Sequence, residues 1–238
     1  YQVAILGEVD VSPAQAAMLS AWVNAGGNLI AMRPDADLLP LLGLTAAGGT
    51  LAEGYFLVDT ATSPGAGIVG ETMQFHGTAD RYALNGAGAV AMLYSDTTTP
   101  TENPAVTLHS VGTNGGQVAA FAFDLARSVV QTRQGNPAWA GQERDGAVPK
   151  RSNDLFFGPA VADPRPDWVN FARIAIPQAD EAQRLLANLI TSMNTNQMPL
   201  PRFWYFPRGE KAVVVMTHDD HSGGDIVGRL TNHNAASQ

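Results

Sequence analysis

The stretch Thr217-His218-Asp219-Asp220-His221 sets two carboxylates between two imidazoles, in a chain that has only five histidines. It follows Ala212 to Met216, an apolar run that reads as a buried strand. Side chains leaving the C-terminal end of such a strand sit where α/β folds and barrels place their chemistry. Within a strand two adjacent acids point to opposite faces, but at its exit the chain can turn and aim both into one cleft. The residue types are those of a divalent-metal site, for zinc or a similar ion. His218 and His221 are three residues apart and can share one face of a helical turn, with Asp220 between them. The alternative is a solvated polar turn.

A second set of residues suits a different task. Trp139 and Trp168 lie in one long segment near Arg133, Arg144 and Arg165. Flat indoles stack on sugar rings, so this pair is a candidate substrate-binding face for a glycan or small carbohydrate; the alternative is that both rings anchor the segment to the domain. Ser128 would need His76 or His109 to act as a nucleophile, and no G-x-S-x-G elbow is present. Both histidines fall in strand-like stretches and read as hydrogen-bonded core or edge residues. Asp124 and Arg127 read as a loop-bracing ion pair.

Composition narrows the classes. The net charge is −8, from 22 acidic against 14 basic residues, and the only lysines are Lys150 and Lys211. Nucleic-acid binding needs clustered cations for counterion release, which argues against that partner. Hydrophobic content is 45%, and no apolar run reaches the ~18 residues of a membrane span. There are no cysteines, so disulfides, thiolate metal sites and a cysteine nucleophile are excluded. No signal peptide is seen, and Tyr1 lies directly inside an apolar run, which leads us to expect missing N-terminal sequence.

These residues need elements to position them. YQVAILG reads as a buried strand ending in Gly7, and Ser12, Pro13 and Gln15 fit an N-cap, first helical position and capping box. Met18, Leu19, Trp22 and Val23 are expected on one buried face, with Gly26 as the left-handed stop. NLIAMRP is a second buried strand, which completes a βαβ unit and predicts parallel pairing. DADLLPLLGL reads as a helical turn interrupted by Pro40. ETMQFHG, RYALNG and GAVAMLYSD are strands, and PAVTLHSVGTNGGQVAAFAFDL is a hairpin turning at TNGG. Residues 131–168 show no sustained period and read as a long ordered loop. PQADEAQRLLANLITSMNT is a helix with Ala182, Leu185, Leu186, Leu189 and Ile190 on one face, and NQMPLPRFWYFPRGE is a connector at a domain boundary.

Two family resemblances follow. YQVAILGEVDVSPAQAAMLSAWVNAGGNLIAMRP, with GGQVAAFAFDLARSVV later, resembles the class I glutamine amidotransferase-like superfamily, nearest to its trehalose-utilisation and beta-galactosidase-trimerisation branches. That resemblance implies a flavodoxin-like α/β domain over residues 1–198, with a mostly parallel sheet and flanking helices, truncated at its N-terminus. Without a cysteine it implies a scaffold or binding role and no amidotransferase activity. Thr217 to Asp220 resembles the T-F-D-D-G motif of the polysaccharide deacetylase (NodB-homology) family, which implies the truncated start of a second α/β domain over 199–238. It implies Asp219 as catalytic base and Asp220 as metal ligand, the ion acidifying a water that attacks an acyl group on a sugar. His218 and His221 depart from that motif, and the family's H-x-x-x-H pair is not found after His221. Together these point to a segment of an exported bacterial carbohydrate-active protein, extracellular or periplasmic, whose intact form would deacylate a glycan, while the present chain is itself expected to be non-catalytic. The alternative is a non-catalytic carbohydrate-binding or assembly domain.

Overall fold

The computed structural model describes residues 2–144, 152–158 and 167–195. All of them belong to the first of two units into which the chain divides, residues 1–200; residues 201–238 form the second and lie outside the described residues. None of the described helices is long and apolar enough to cross a membrane.

The βαβ unit forms as its local signals dictate. Strand β1 (Val3–Leu6) leads to helix α1 (Pro13–Asn24) and strand β2 (Asn28–Met32). Ser12 Oγ accepts from the Gln15 N–H while Gln15 Oε1 accepts from the Ser12 N–H at 2.9 Å, so the capping box is closed in both directions. Gly26 takes φ +107° after the helix. Met18 departs from expectation: it is 62% exposed, and Val23 alone is fully buried on α1. The helix is apolar on more than one side, so periodicity could not choose between its faces.

Strand β2 is buried at all five positions because it pairs on both sides. Ile30 lies beside Ile5 of β1 and Ala119 of β9 (Gly116–Phe121), both parallel. The remaining strands are β3 (Leu44–Ala52), β4 (Tyr55–Val58), β5 (Met73–Gln74), β6 (Thr78–Leu84), β7 (Gly88–Tyr94) and β8 (Pro100–Val111). The seven-stranded sheet runs β1-β2-β9-β8-β7-β4-β5, and β3 and β6 form a separate antiparallel pair. The fold is therefore mixed α/β. Parallel pairing stops at β9, and everything beyond it is antiparallel, which corrects the expectation of a mostly parallel sheet. The physical reason is the connections. The TNGG turn joins β8 and β9 directly, and such a short link can join only antiparallel neighbours, whereas parallel ones need a crossover.

Residues 131–168 also differ from expectation. Helix α2 (Leu125–Gln134) runs into this segment, and Asp124 is its N-cap, accepting from the Arg127 N–H at 3.1 Å. The pair read as a loop brace is thus foremost a helix cap, with the side-chain charges 3.8 Å apart. Helix α3 (Gln178–Asn194) buries Ala182, Leu185, Leu189 and Met193, with Leu186 and Ile190 partly covered. DADLLPLLGL contains a single short 3-10 turn, Ala36–Leu38, before β3.

The core is centred on four phenylalanines. Phe123 stacks on Phe75 at 4.8 Å, tilts against Phe56 at 5.4 Å and meets Phe121 edge-on at 6.0 Å. Asn28 is fully buried and satisfied: its amide donates to the Met193 carbonyl and accepts from the Gln117 N–H, which ties β2 to both α3 and β9.

Candidate functional site

A cleft of about 650 Å³ opens where the β3–β4 turn, β5, the segment after α2 and residues 167–171 converge. Its floor is set by one backbone decision. Glu53 sits in the two-residue turn between β3 and β4 with φ +49°, a left-handed conformation that costs a non-glycine residue ~1–2 kcal/mol. That turn aims its carboxylate at the end of β5. Oε1 accepts from the Gly77 N–H at 2.7 Å and Oε2 meets His76 Nδ1 at 2.8 Å. A carboxylate accepts only, so in the neutral imidazole Nδ1 carries the proton and Nε2 keeps its lone pair. His76 is 3% exposed and is a hydrogen-bonded core histidine, as its strand context implied; it also lines the cleft.

The structure brings Trp139 and Trp168 together. Their rings meet edge-on at 6.0 Å, and the opposite partner of Trp168 is the His76 ring, stacked at 4.0 Å and 11°. Trp168 is held by its backbone N–H to the Phe156 carbonyl and its indole N–H to the Gln131 carbonyl. Trp139 is 4% exposed, and the Arg144 guanidinium lies 3.5 Å above its ring. Trp139 is the inner wall; Trp168 is half-buried and the more accessible of the two. Arg133 is turned toward α3, where it binds Asp180 at 2.5 Å and Gln183 at 2.8 Å. Arg165 lies outside the described residues.

Several wall residues carried no signal in the sequence. Phe171 is 56% exposed at the cleft and stacks on Phe157 at 5.2 Å. Asn170 donates to the Tyr55 hydroxyl at 2.9 Å, its backbone N–H binds Gln74 Oε1, and Gln74 Nε2 donates to the Trp168 carbonyl. Asp167 accepts from the Gly158 N–H at 2.7 Å. These residues come from chain segments about a hundred positions apart, and only the aromatic character of residues 168–171 hinted at them.

Ser128 meets His76 through the histidine's backbone N–H, at 3.1 Å, rather than through the ring. His109 binds the Gly86 carbonyl instead, at 3.1 Å. Among the described residues the serine therefore has no imidazole hydrogen-bonded to it, and neither His76 nor His109 forms a triad with it.

A second, polar cleft of about 640 Å³ lies beyond the ends of β1 and β2. Arg33, which follows β2 at φ +45°, holds Asp80 through two bonds of 3.1 Å and Glu8 through one of 2.6 Å. The hydrogen bonds to Asp80 lead the effects that hold its guanidinium pKa above the ordinary value. Burial, then the neighbouring Asp80 charge, pushes the Tyr82 hydroxyl well up. This is a charge-paired network.

Among the described residues no group of three or more His, Cys, Asp or Glu side chains is placed to hold a metal ion. His218, Asp219, Asp220 and His221 lie outside the described residues.

No family model matches the chain. No curated protein matches it. Among solved structures it is similar to a beta-galactosidase from Rahnella sp. R3, at 20% identity over 56% of this chain and 23% of that one, with TM-score 0.43. It is similar also to the exo-beta-1,4-mannosidase Op5Man5 from Opitutaceae bacterium strain TAV5, at 20% identity, 56% and 22% coverage and TM-score 0.43. A third is the cytoplasmic protein STM3548 from Salmonella typhimurium, at 12% identity, 52% and 61% coverage and TM-score 0.40. The chain spans less than a quarter of the two glycosidases it resembles. With TM-scores below 0.5, these likenesses assign neither activity nor substrate.

Proposed function

We propose that the described domain is a carbohydrate-binding module whose binding site is the cleft between Glu53, Tyr55, Trp168 and Phe171. The observation that carries this reading is the composition of one wall: exposed and half-buried aromatic rings interleaved with planar polar side chains. Sugars present an apolar C–H face and an equatorial rim of hydroxyls, and they are held by a ring under the first and amides or carboxylates around the second. Trp168 and Phe171 supply rings; Glu53, Asp167, Asn136 and His76 supply the polar rim. Trp168 is the central contact and Trp139 the residue that braces it.

Calorimetric titration with a panel of oligosaccharides tests the reading. Phe171→Ala is the informative variant because the side chain is exposed, so the fold tolerates its loss. Affinity is expected to fall by up to ~10-fold, the worth of one aromatic contact. Unchanged affinity would remove Phe171 from the site, and no heat with any sugar would remove the function.

The wider proposal is that this chain is a segment of an exported carbohydrate-active protein. Its residues 1–198 would be a cysteine-free amidotransferase-like domain in which β1, α1, β2 and β9 form the flavodoxin-like part. Residues 199–238 would open a deacetylase-like domain, with Asp219 as base and Asp220, His218 and His221 on a divalent ion, acting on an acylated glycan.

A further inference from the structure

We infer that the cleft selects glycans bearing free, protonated amino groups over their N-acylated or acidic counterparts. This rests on the carbohydrate reading above and names the ligand class within it.

The cleft's charged groups are acceptors. Its donors are amide, phenol, indole and imidazole groups, and only part of their capacity is spent inside the protein. Asn170 Nδ2 gives one of its two N–H bonds to the Tyr55 hydroxyl and Gln74 Nε2 one of its two to the Trp168 carbonyl, while the Trp168 indole N–H goes to the Gln131 carbonyl and His76 Nδ1 to Glu53. The acceptors have capacity left. A carboxylate has about four lone-pair sites. The structure gives Asp167 one hydrogen bond, from Gly158, and gives Glu53 two, from Gly77 and His76. The Glu53 side chain is 45% exposed. His76 Nε2 adds a further acceptor, since Nδ1 holds the proton.

Charged acceptors beside uncharged donors favour a ligand whose donor is itself charged. An ordinary sugar hydroxyl brings one donor and two lone pairs, whereas an ammonium brings three donors and none to accept. Glu53 and Asp167 are both anionic, and among the described residues lining the cleft none is lysine or arginine. The rings of Trp168 and Phe171 add to the attraction, because the face of an aromatic ring carries negative potential toward a cation. A uronic acid in the same place would set a third carboxylate against two, with no lysine or arginine among the described lining residues to offset it. N-acetylation would remove the charge and replace three donors by one.

The test is calorimetric titration of the 238-residue chain, near neutral pH and at low salt, with three oligosaccharides of equal length: a glucosamine tetramer, its fully N-acetylated form and a galacturonate tetramer. The expected order is the amine tightest, at least ~10-fold ahead of the acetylated form, in keeping with a charge-assisted hydrogen bond, and no binding of the galacturonate. Asp167→Asn keeps an oxygen for the Gly158 N–H and is expected to cut the preference to about threefold or less, whereas Phe171→Ala should weaken amine and acetylated ligands alike. Equal affinity for amine and acetylated tetramers, or an unchanged preference in both Asp167→Asn and Glu53→Gln, overturns the selectivity and leaves the carbohydrate reading standing. Binding of none of the three overturns both.

Discussion

Glu53 shows how one residue can join backbone strain to side-chain function. Its left-handed conformation is a cost, and the two hydrogen bonds of its carboxylate offset that cost. Substitutions separate the two contributions. Glu53→Ala loses the carboxylate and keeps the strain, and should destabilise the domain by about 2 kcal/mol in a urea melt, mostly from the buried imidazole left without its partner. Glu53→Gly loses the same bonds but relieves the turn, and should recover roughly 1 kcal/mol of that. Equal losses from the two variants would mean that the turn is not strained. At this scale the sequence was only partly legible. Trp139 and Trp168 stood out by type, but nothing local says that a glutamate after LTAAGGTLA will turn left-handed and find a histidine 23 positions on. That pairing is a product of tertiary register.

Among the elements, those specified by local chemistry were readable and those specified by their neighbours were not. The capping box at Ser12 and Gln15 follows from two side chains and one turn of backbone, so it can be read from residues alone. Helix α2 follows no such rule. Its buried residues are Leu125 and Ser128, with Val129 partly covered, so its core side is one turn long and half polar, too short to stand out from the strand before it. The close approach of α1 to β9 was equally silent. A Cβ at Gly116 would lie 1.9 Å from the Val23 carbonyl oxygen, so no side chain fits where the helix end crosses the strand. Gly116→Ala should therefore lower stability by about 3 kcal/mol, since backbone rather than a mobile side chain must move. Gly7, where nothing lies within 4 Å of the added carbon, is the control and should be near neutral as Gly7→Ala. Thermal melts of the two variants decide it. Similar melting temperatures would mean that α1 and β9 can separate at little cost.

For the whole molecule, the sheet is a parallel third joined to an antiparallel remainder, and the βαβ signal at the N-terminus described only the first part. Extending it to the rest failed because strand direction depends on how the chain returns, which alternation of apolar residues does not encode. The HDDH stretch lies outside the described residues and is tested on the 238-residue chain. Zinc titration of the intact chain is expected to release heat, and Asp220→Ala should abolish most of it, because loss of a carboxylate ligand weakens a site of this kind by ~10-fold or more. Equal heats from both proteins would remove Asp220 as a ligand, without touching the aromatic cleft.

The His76 ring lying flat on Trp168 has one more consequence. An excited indole gives up its energy differently to a neutral neighbour than to a charged one, so the ultraviolet emission of Trp168 reports the electrical state of the imidazole beneath it. The protein thus carries an optical gauge at the floor of the cleft, readable without any attached dye once the other three tryptophans are replaced.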